Sequence, residues 1–228
     1  MKIGGLQKMT MLDFPGKIAC TIFTYGCNLR CPFCHNATLV TEEPELFSVD
    51  EILSYINKRK GVLDGVCITG GEPLLQPDII DLMKKIKSAG LEVKLDTNGA
   101  YPEKLREVID AGLVDYVAMD IKNSKEKYPL TTGVKNLDIT SFEKSVEILM
   151  SSGIEYEFRT TIVRELHTLE DMKKIGEWIK GAKRYFLQSF VDSGSLIGEG
   201  YSAHEKNALE AFVQALSEYI PSVQLRGV

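Results

Sequence analysis

The stretch Tyr25-Gly26-Cys27-Asn28-Leu29-Arg30-Cys31-Pro32-Phe33-Cys34-His35-Asn36 directly follows an apolar, β-branched run and carries three cysteines at CxxxCxxC spacing. Thiolates are soft ligands that suit zinc or iron–sulfur clusters. A structural zinc closes its shell with four ligands, and a cubane cluster has four irons to ligate. Three local cysteines therefore leave one corner open. In a 4Fe-4S cluster, the open iron can bind something that is not protein. In a zinc site, His35 or a distant cysteine would have to complete the shell. His35 is adjacent to Cys34, a poor geometry for sharing its metal, and no second CxxC pair exists to close such a site.

Working outward, residues 18–24 have strand composition, and the cysteine loop is the irregular connection that follows. Ser48, with Glu51 three residues later, forms a capping box for a helix over 48–59. Residues 65–69 read as a short buried strand ending at Gly70-Gly71-Glu72-Pro73, and the apolar spacing from 77 to 89 is helical, with Gly90 as its stop. The alternation then repeats: strands over 91–96, 115–121, 154–163 and 183–190, helices over 102–110, 140–151 (capped by Thr140), 168–180 and 202–219, and a short final strand at 221–225. Six strands alternating with six helices predict an α/β protein with a parallel sheet, either a barrel or a doubly wound sheet. In both architectures the chemistry collects at the carboxyl ends of the strands. The cysteine loop, Gly-Gly-Glu-Pro, Asp96-Thr97-Asn98-Gly99 and Asp120-Ile121-Lys122 all fall at those ends.

A chain of 228 residues is long enough for one domain with a full core, and no linker, charge block or low-complexity segment divides it. The net charge of −5 implies no broad basic surface for nucleic acid, and no apolar run is long enough to cross a bilayer. The N-terminus lacks the apolar core of a signal peptide, so the expected location is the cytoplasm. Five cysteines in this pattern do not make a disulfide framework; Cys20 and Cys67, inside apolar runs, read as buried structural thiols.

Each remaining motif has a plain reading. Gly70-Gly71-Glu72-Pro73 is turn-like, and a glycine pair at a strand end also admits close approach to the backbone. Asp96 and Asp120 close buried strands, where a carboxylate needs a cation, a metal or helix N–H groups; helix capping would satisfy Asp96. Arg159, within a strand, either faces the interior and needs an anion or makes a salt bridge on the rim. His167 and His204 read as solvated side chains. Residues 6–17 read as a turn with Pro15-Gly16 at its tip.

The cysteine spacing, with Phe33 between the second and third cysteines and Gly-Gly-Glu-Pro downstream, resembles the radical S-adenosylmethionine (SAM) enzymes and their CxxxCxΦC pattern. That resemblance implies an incomplete (β/α)6 TIM-like barrel in a single domain over 1–228, comprising a lead-in at 1–17, a core at 18–201 with the cluster loop at 25–36, and a C-terminal helix and tail at 202–228. It implies a 4Fe-4S cluster on Cys27, Cys31 and Cys34 whose open iron chelates the amino and carboxylate groups of SAM. It assigns Gly70, Gly71 and Glu72 to the SAM amino group, and Phe33 with the backbone around Asn36 to the adenine.

Leu95-Asp96-Thr97-Asn98-Gly99 and Met119-Asp120-Ile121-Lys122 further resemble the paired motifs of glycyl-radical-enzyme activating proteins. There Asp96, Thr97 and Asp120 would help hold a monovalent cation beside the SAM carboxylate. Lys122 would reach the carboxylate or ribose, and Arg159 would face the SAM site. The segment Thr10-Met11-Leu12-Asp13-Phe14-Pro15-Gly16-Lys17 resembles the lead-in of anaerobic ribonucleoside-triphosphate reductase activating proteins. Phe14 stands where the related Asp-Gly-Pro-Gly of pyruvate formate-lyase activating enzymes has its first glycine.

The resemblance thus implies an enzyme that takes an electron from a flavodoxin- or ferredoxin-type donor, cleaves SAM, and generates a glycyl radical on a partner enzyme whose incoming loop meets Asp13. The reading next in line is a radical SAM enzyme acting on a small molecule. A further one, of another class, is a non-catalytic metal-binding or electron-transfer module.

Overall fold

The computed structural model describes residues 1–42 and 45–227, so the final residue of the expected tail lies outside it. Among the described residues, eight strands form one sheet in chain order: β1 (Ile3–Thr10), β2 (Ala19–Thr24), β3 (Gly65–Gly70), β4 (Glu92–Thr97), β5 (Tyr116–Asp120), β6 (Glu155–Ile162), β7 (Tyr185–Ser189) and β8 (Val223–Arg226). Strands β2 to β8 are all parallel, and β1 runs antiparallel to β2 at one edge. The six expected strands are β2 to β7, and the short last strand is β8. The sheet has two edges, β1 and β8, so the barrel is incomplete. Strand β1 lies within what the sequence reads as a lead-in. Residues 6–10 of the expected turn at 6–17 belong to this strand instead, because they pair with β2; the turn itself falls at its expected tip, with Lys17 N–H donating to the Phe14 carbonyl at 3.1 Å and Gly16 at φ 73°.

The helices are α1 (Thr38–Thr41), α2 (Val49–Lys58), α3 (Ile79–Ser88), α4 (Pro102–Asp110), α5 (Tyr128–Thr132), α6 (Ile139–Ser151), α7 (Leu169–Trp178) and α8 (Lys206–Leu216). The Ser48–Glu51 capping box forms as expected, and Thr168 with Asp171 makes a second one at α7. At α6 the cap is Asp138 rather than Thr140: Asp138 accepts from the Thr140 N–H at 3.0 Å and from its hydroxyl at 2.6 Å. The last helix begins at Lys206, four residues after the expected start, behind a Glu205 cap with no side-chain bond.

Side chains alternate across a strand with period two, and here the two faces differ in kind. One face packs under the helices: Cys20, Ile22, Val66, Ile68, Val93, Leu95, Val117, Met119, Phe158 and Leu187 are all fully buried in apolar company. The other face carries Thr21, Cys67, Lys94, Asp96, Asp120, Arg159 and Gln188. Residues from β1 through β7 line one cavity of about 300 Å³, so the sheet curls around that polar face.

Away from the cluster loop, at the amino ends of β2, β3 and β5, the same face of the sheet is plugged by Phe14. Its ring is 2% exposed and packs 6.2 Å from the Tyr116 ring, in a small cluster with Ala19. Gly65 makes room for it, since a Cβ there would lie 2.8 Å from the Phe14 ring. Phe14→Ala removes a buried aromatic and should cost roughly 3 kcal/mol in urea unfolding. The neighbouring Leu12→Ala, at a side chain 91% exposed, should stay within about 0.5 kcal/mol of the parent. Equal effects of the two would refute the plug.

Candidate active site

Cys27, Cys31 and Cys34 leave β2 and enter the cavity from its rim, with Cys31 8% exposed and the other two half-buried. The loop that carries them is clamped by backbone bonds to four neighbours. Gly26 N–H donates to the Leu39 carbonyl (2.8 Å), Glu72 N–H to the Gly26 carbonyl (2.9 Å), Arg30 N–H to the Thr132 carbonyl (2.9 Å), and Gly198 N–H to the Pro32 carbonyl (2.7 Å). The glycine pair after β3 is explained by this clamp. Gly70 sits at φ 112°, and a Cβ on Gly71 would overlap the Gly26 carbonyl. The close approach foreseen at Gly70-Gly71 is therefore made by the cluster loop's own backbone, while both glycines still line the cavity.

Burial, the first cause at each, shifts all three thiols toward the protonated form, and Cys31 is pushed up to about 12. Lys122 opposes the shift at all three, as the cation whose field reaches them. Metal binding would release those protons, because the ligand is the thiolate. Among the described residues no three His, Cys, Asp or Glu side chains gather at a single-ion point. The thiols instead stand around a cavity that has room beside them, and this fits a cluster that gives each thiolate its own iron. His35 lines the same cavity, and its ring lies 5.7 Å from that of Phe190. Phe33 is 4% exposed and faces the cavity, and Asn36 donates its amide to the Gly70 carbonyl at 3.0 Å.

Opposite the thiols, β4, β5 and β6 place an ion ladder across the cavity wall. The registers set Asp120 beside Arg159 and Asp96 beside Ala118. Arg159 donates from Nε to Asp120 at 2.5 Å and from Nη1 to Asp96 at 2.9 Å, and Lys122 pairs with Asp120 at 2.7 Å. Burial would raise the Asp120 carboxyl, yet Arg159 and Lys122 outweigh it and hold it well below the usual range; Asp96 is lowered in the same way by Arg159 and Lys94. Arg159 is thus the interior guanidinium with two anions, not a rim salt bridge. Asp96 is held by cations, not by capping.

Glu72 is turned away from the cavity. It is fully buried, and its oxygens accept from the Leu74 N–H (3.0 Å), the Thr97 hydroxyl (2.8 Å) and the Asn98 N–H (2.7 Å). It brackets the loop after β3 to the loop after β4, and burial pushes it up to about 7 despite those donors. The bracket positions Asn98, whose amide lies 3.7 Å from the Cys27 sulfur and donates to Asn28 at 2.9 Å.

Three residues of the site escaped the sequence reading. Lys94 is 3% exposed and pairs with Asp96, with the Cys67 sulfur 3.9 Å from its ammonium. The available signal was period two: Lys94 shares a strand face with Asp96. Cys67 is buried as expected, but it lines the cavity 3.8 Å from Asp96 rather than packing in apolar company. His167 is fully buried, not solvated. Its Nε2 donates to the Lys122 carbonyl at 2.9 Å, Nδ1 accepts from the Val163 N–H at 3.0 Å, and burial lowers its pKa. His204, half-buried, donates to the His167 carbonyl at 2.9 Å. Asp13 lies on the cavity wall, accepting from the Thr21 hydroxyl at 2.5 Å.

Comparison with known proteins gives this arrangement its family. Residues 21–179 match the radical SAM superfamily. Over 99% of its length the chain is 31% identical to a protein of Methanocaldococcus jannaschii named a glycyl-radical enzyme activating enzyme, covering 96% of that protein. It is also 31% identical to the pyruvate formate-lyase-activating enzyme of Clostridium pasteurianum, over 80% of this chain and 77% of that one. Among solved structures, Streptococcus suis SuiB bound to S-adenosylmethionine shares the fold, with a TM-score of 0.70 and 13% identity over 89% of this chain and 48% of that one. With three thiols on one rim of a polar cavity and full-length kinship of this kind, the chain belongs to the radical SAM superfamily, in the family of glycyl-radical enzyme activating enzymes.

Proposed function

We propose that this chain generates a glycyl radical on a partner enzyme, most specifically an anaerobic ribonucleoside-triphosphate reductase, using SAM at a 4Fe-4S cluster. The observation that supports the reading is a single cavity bounded on one side by three thiols and on the other by fixed charges. When bound, the cluster and SAM supply one-electron reductive cleavage to methionine and a 5′-deoxyadenosyl radical, which takes a hydrogen atom from a glycine Cα. The protein's part is to bind, orient and exclude water.

Cys27, Cys31 and Cys34 would hold three irons, leaving the fourth open to the cavity. Lys122 lies between Asp120 and the thiols, and its ammonium would meet the SAM carboxylate or ribose. Its backbone is gripped on both sides, by the His167 ring at its carbonyl and the Tyr128 hydroxyl at its N–H (3.1 Å). Phe33 would cover the adenine, with Asn36 holding the backbone of Gly70 in place. Arg159 keeps Asp96 and Asp120 ionised and fixed. Asp13, on the same cavity, would meet the backbone of an inserted glycyl loop; its carboxylate can accept from peptide N–H groups. The lead-in Thr10 to Lys17 favours the reductase as partner, and a flavodoxin- or ferredoxin-type protein would supply the electron.

The test is the partner itself. Anaerobic incubation of the reduced protein and SAM with the reductase should produce a glycyl EPR doublet on the reductase. SAM turnover with no protein radical on any glycyl radical enzyme would instead favour a small-molecule substrate. Two variants separate the roles. Cys31→Ala should abolish the brown chromophore and reduce SAM cleavage by at least 100-fold, and retention of both would refute the cluster assignment. Asp13→Asn should slow partner activation by tenfold or more while uncoupled SAM cleavage stays within about twofold. Parallel loss of the two activities would move Asp13 to the cofactor side.

A further inference from the structure

The monovalent cation implied by resemblance needs open oxygen donors, because hard cations are held by several oxygens. Asp96 and Asp120 do not offer them. One Asp96 oxygen is taken by the Lys94 ammonium and the other by Arg159 Nη1; one Asp120 oxygen is taken by Arg159 Nε and the other by Lys122. All four carboxylate oxygens thus face fixed cations, and two carboxylates meet three positive side chains. An added ion would find no uncommitted oxygen on either carboxylate. The residues present do not fit a free alkali ion here.

The decisive residue is Lys94. It is locked in place by its strand: Val93 and Leu95 on either side face the helix layer, and the register sets Lys94 between Cys67 on β3 and Tyr116 on β5. Its ammonium, 3% exposed, cannot reach solvent. The neighbours within reach are Asp96, the Cys67 sulfur at 3.9 Å and the face of the Tyr116 ring, 5.9 Å to its centroid. A buried ammonium demands an anion, so the pairing with Asp96 is obligatory rather than opportunistic. The charge on Lys94 is sustained there: burial works against it, but Asp96 outweighs burial and the pKa is raised.

We propose that the Lys94 ammonium takes the place of the monovalent cation beside Asp96, so that this protein binds SAM without any alkali ion. The proposal rests on reading the cavity as a SAM site. A covalently tethered cation has a fixed position and cannot be diluted away, so SAM affinity should not depend on the salt's identity.

The test compares SAM binding to the reconstituted protein by equilibrium dialysis in choline chloride and in KCl or NaCl at equal ionic strength. The parent protein should show dissociation constants within twofold across the three salts. Lys94→Met keeps the apolar stem and removes the charge. It should bind SAM at least tenfold more weakly in choline, and KCl should restore most of that loss. In the same variant without iron or SAM, KCl should raise the thermal midpoint relative to choline, whereas the parent's midpoint should not move. A tenfold gain in the parent's affinity on adding KCl would overturn the proposal even if the variant does not fold. A folded variant that KCl fails to rescue would also overturn it. Absence of SAM binding to the parent in every salt would bring down the site reading first and this inference with it.

Discussion

Arg159 spans two carboxylates on two neighbouring strands, and the rest of the site depends on that bridge. The polar face of a curled parallel sheet can be filled by branched apolar side chains, as in a closed barrel core. Here it is not. Lys94, Asp96, Arg159, Asp120 and Lys122 alternate in sign across β4, β5 and β6 and keep that face from packing shut. Each of these ions pays several kcal/mol in lost hydration, which only close pairing offsets. Such a ladder is a weak way to gain stability and a strong sign of a site, since clustered, mutually perturbed charges in a cavity are the signature of function.

The second constraint is mechanical. A cluster on Cys27, Cys31 and Cys34 would take its three thiolates from one short loop, and that loop has to hold position when a ligand arrives. The structure solves this with backbone rather than side chains. Carbonyls and N–H groups of Gly26, Arg30 and Pro32 are tied to α1, α5, the loop after β3 and the loop before α8. Glu72 and Asn98 extend the clamp to the loop after β4. Sheet ends, cluster loop and ion ladder therefore form one connected frame, and the cofactors implied by the family would complete it rather than build it.

The parallel α/β order was legible because segments of strand composition, apolar at least at alternate positions, recur between helical segments with capping and stop signals. The cysteine loop, Asp96, Thr97, Asp120, Lys122 and Arg159 were legible because motifs fall where such sheets collect their chemistry. What was missed has physical reasons. Strand β1 contains Gly4 and Gly5, exposed Lys8 and Met9, and two register irregularities; its extended form is set by pairing with β2, which no local pattern announces. Glu72 sits in a motif that suggests a ligand, yet whether its carboxylate faces the cavity or the neighbouring loop is a rotamer decision made by Thr97 and Asn98. His167 follows a strand in a loop, and only the tertiary placement of the Lys122 carbonyl turns it into a buried brace. Lys94 belongs to no motif, although its two-residue offset from Asp96 places both on one strand face.

The proposed function depends on a cluster with one coordination position left free by the protein. Electron paramagnetic resonance of the anaerobically reconstituted, reduced protein tests that directly when recorded with and without SAM. The proposed function predicts about four irons per chain, a reduced-cluster signal, and a change in that signal when SAM is added. A closed mononuclear metal, or a cluster spectrum that is the same with and without SAM, would contradict it.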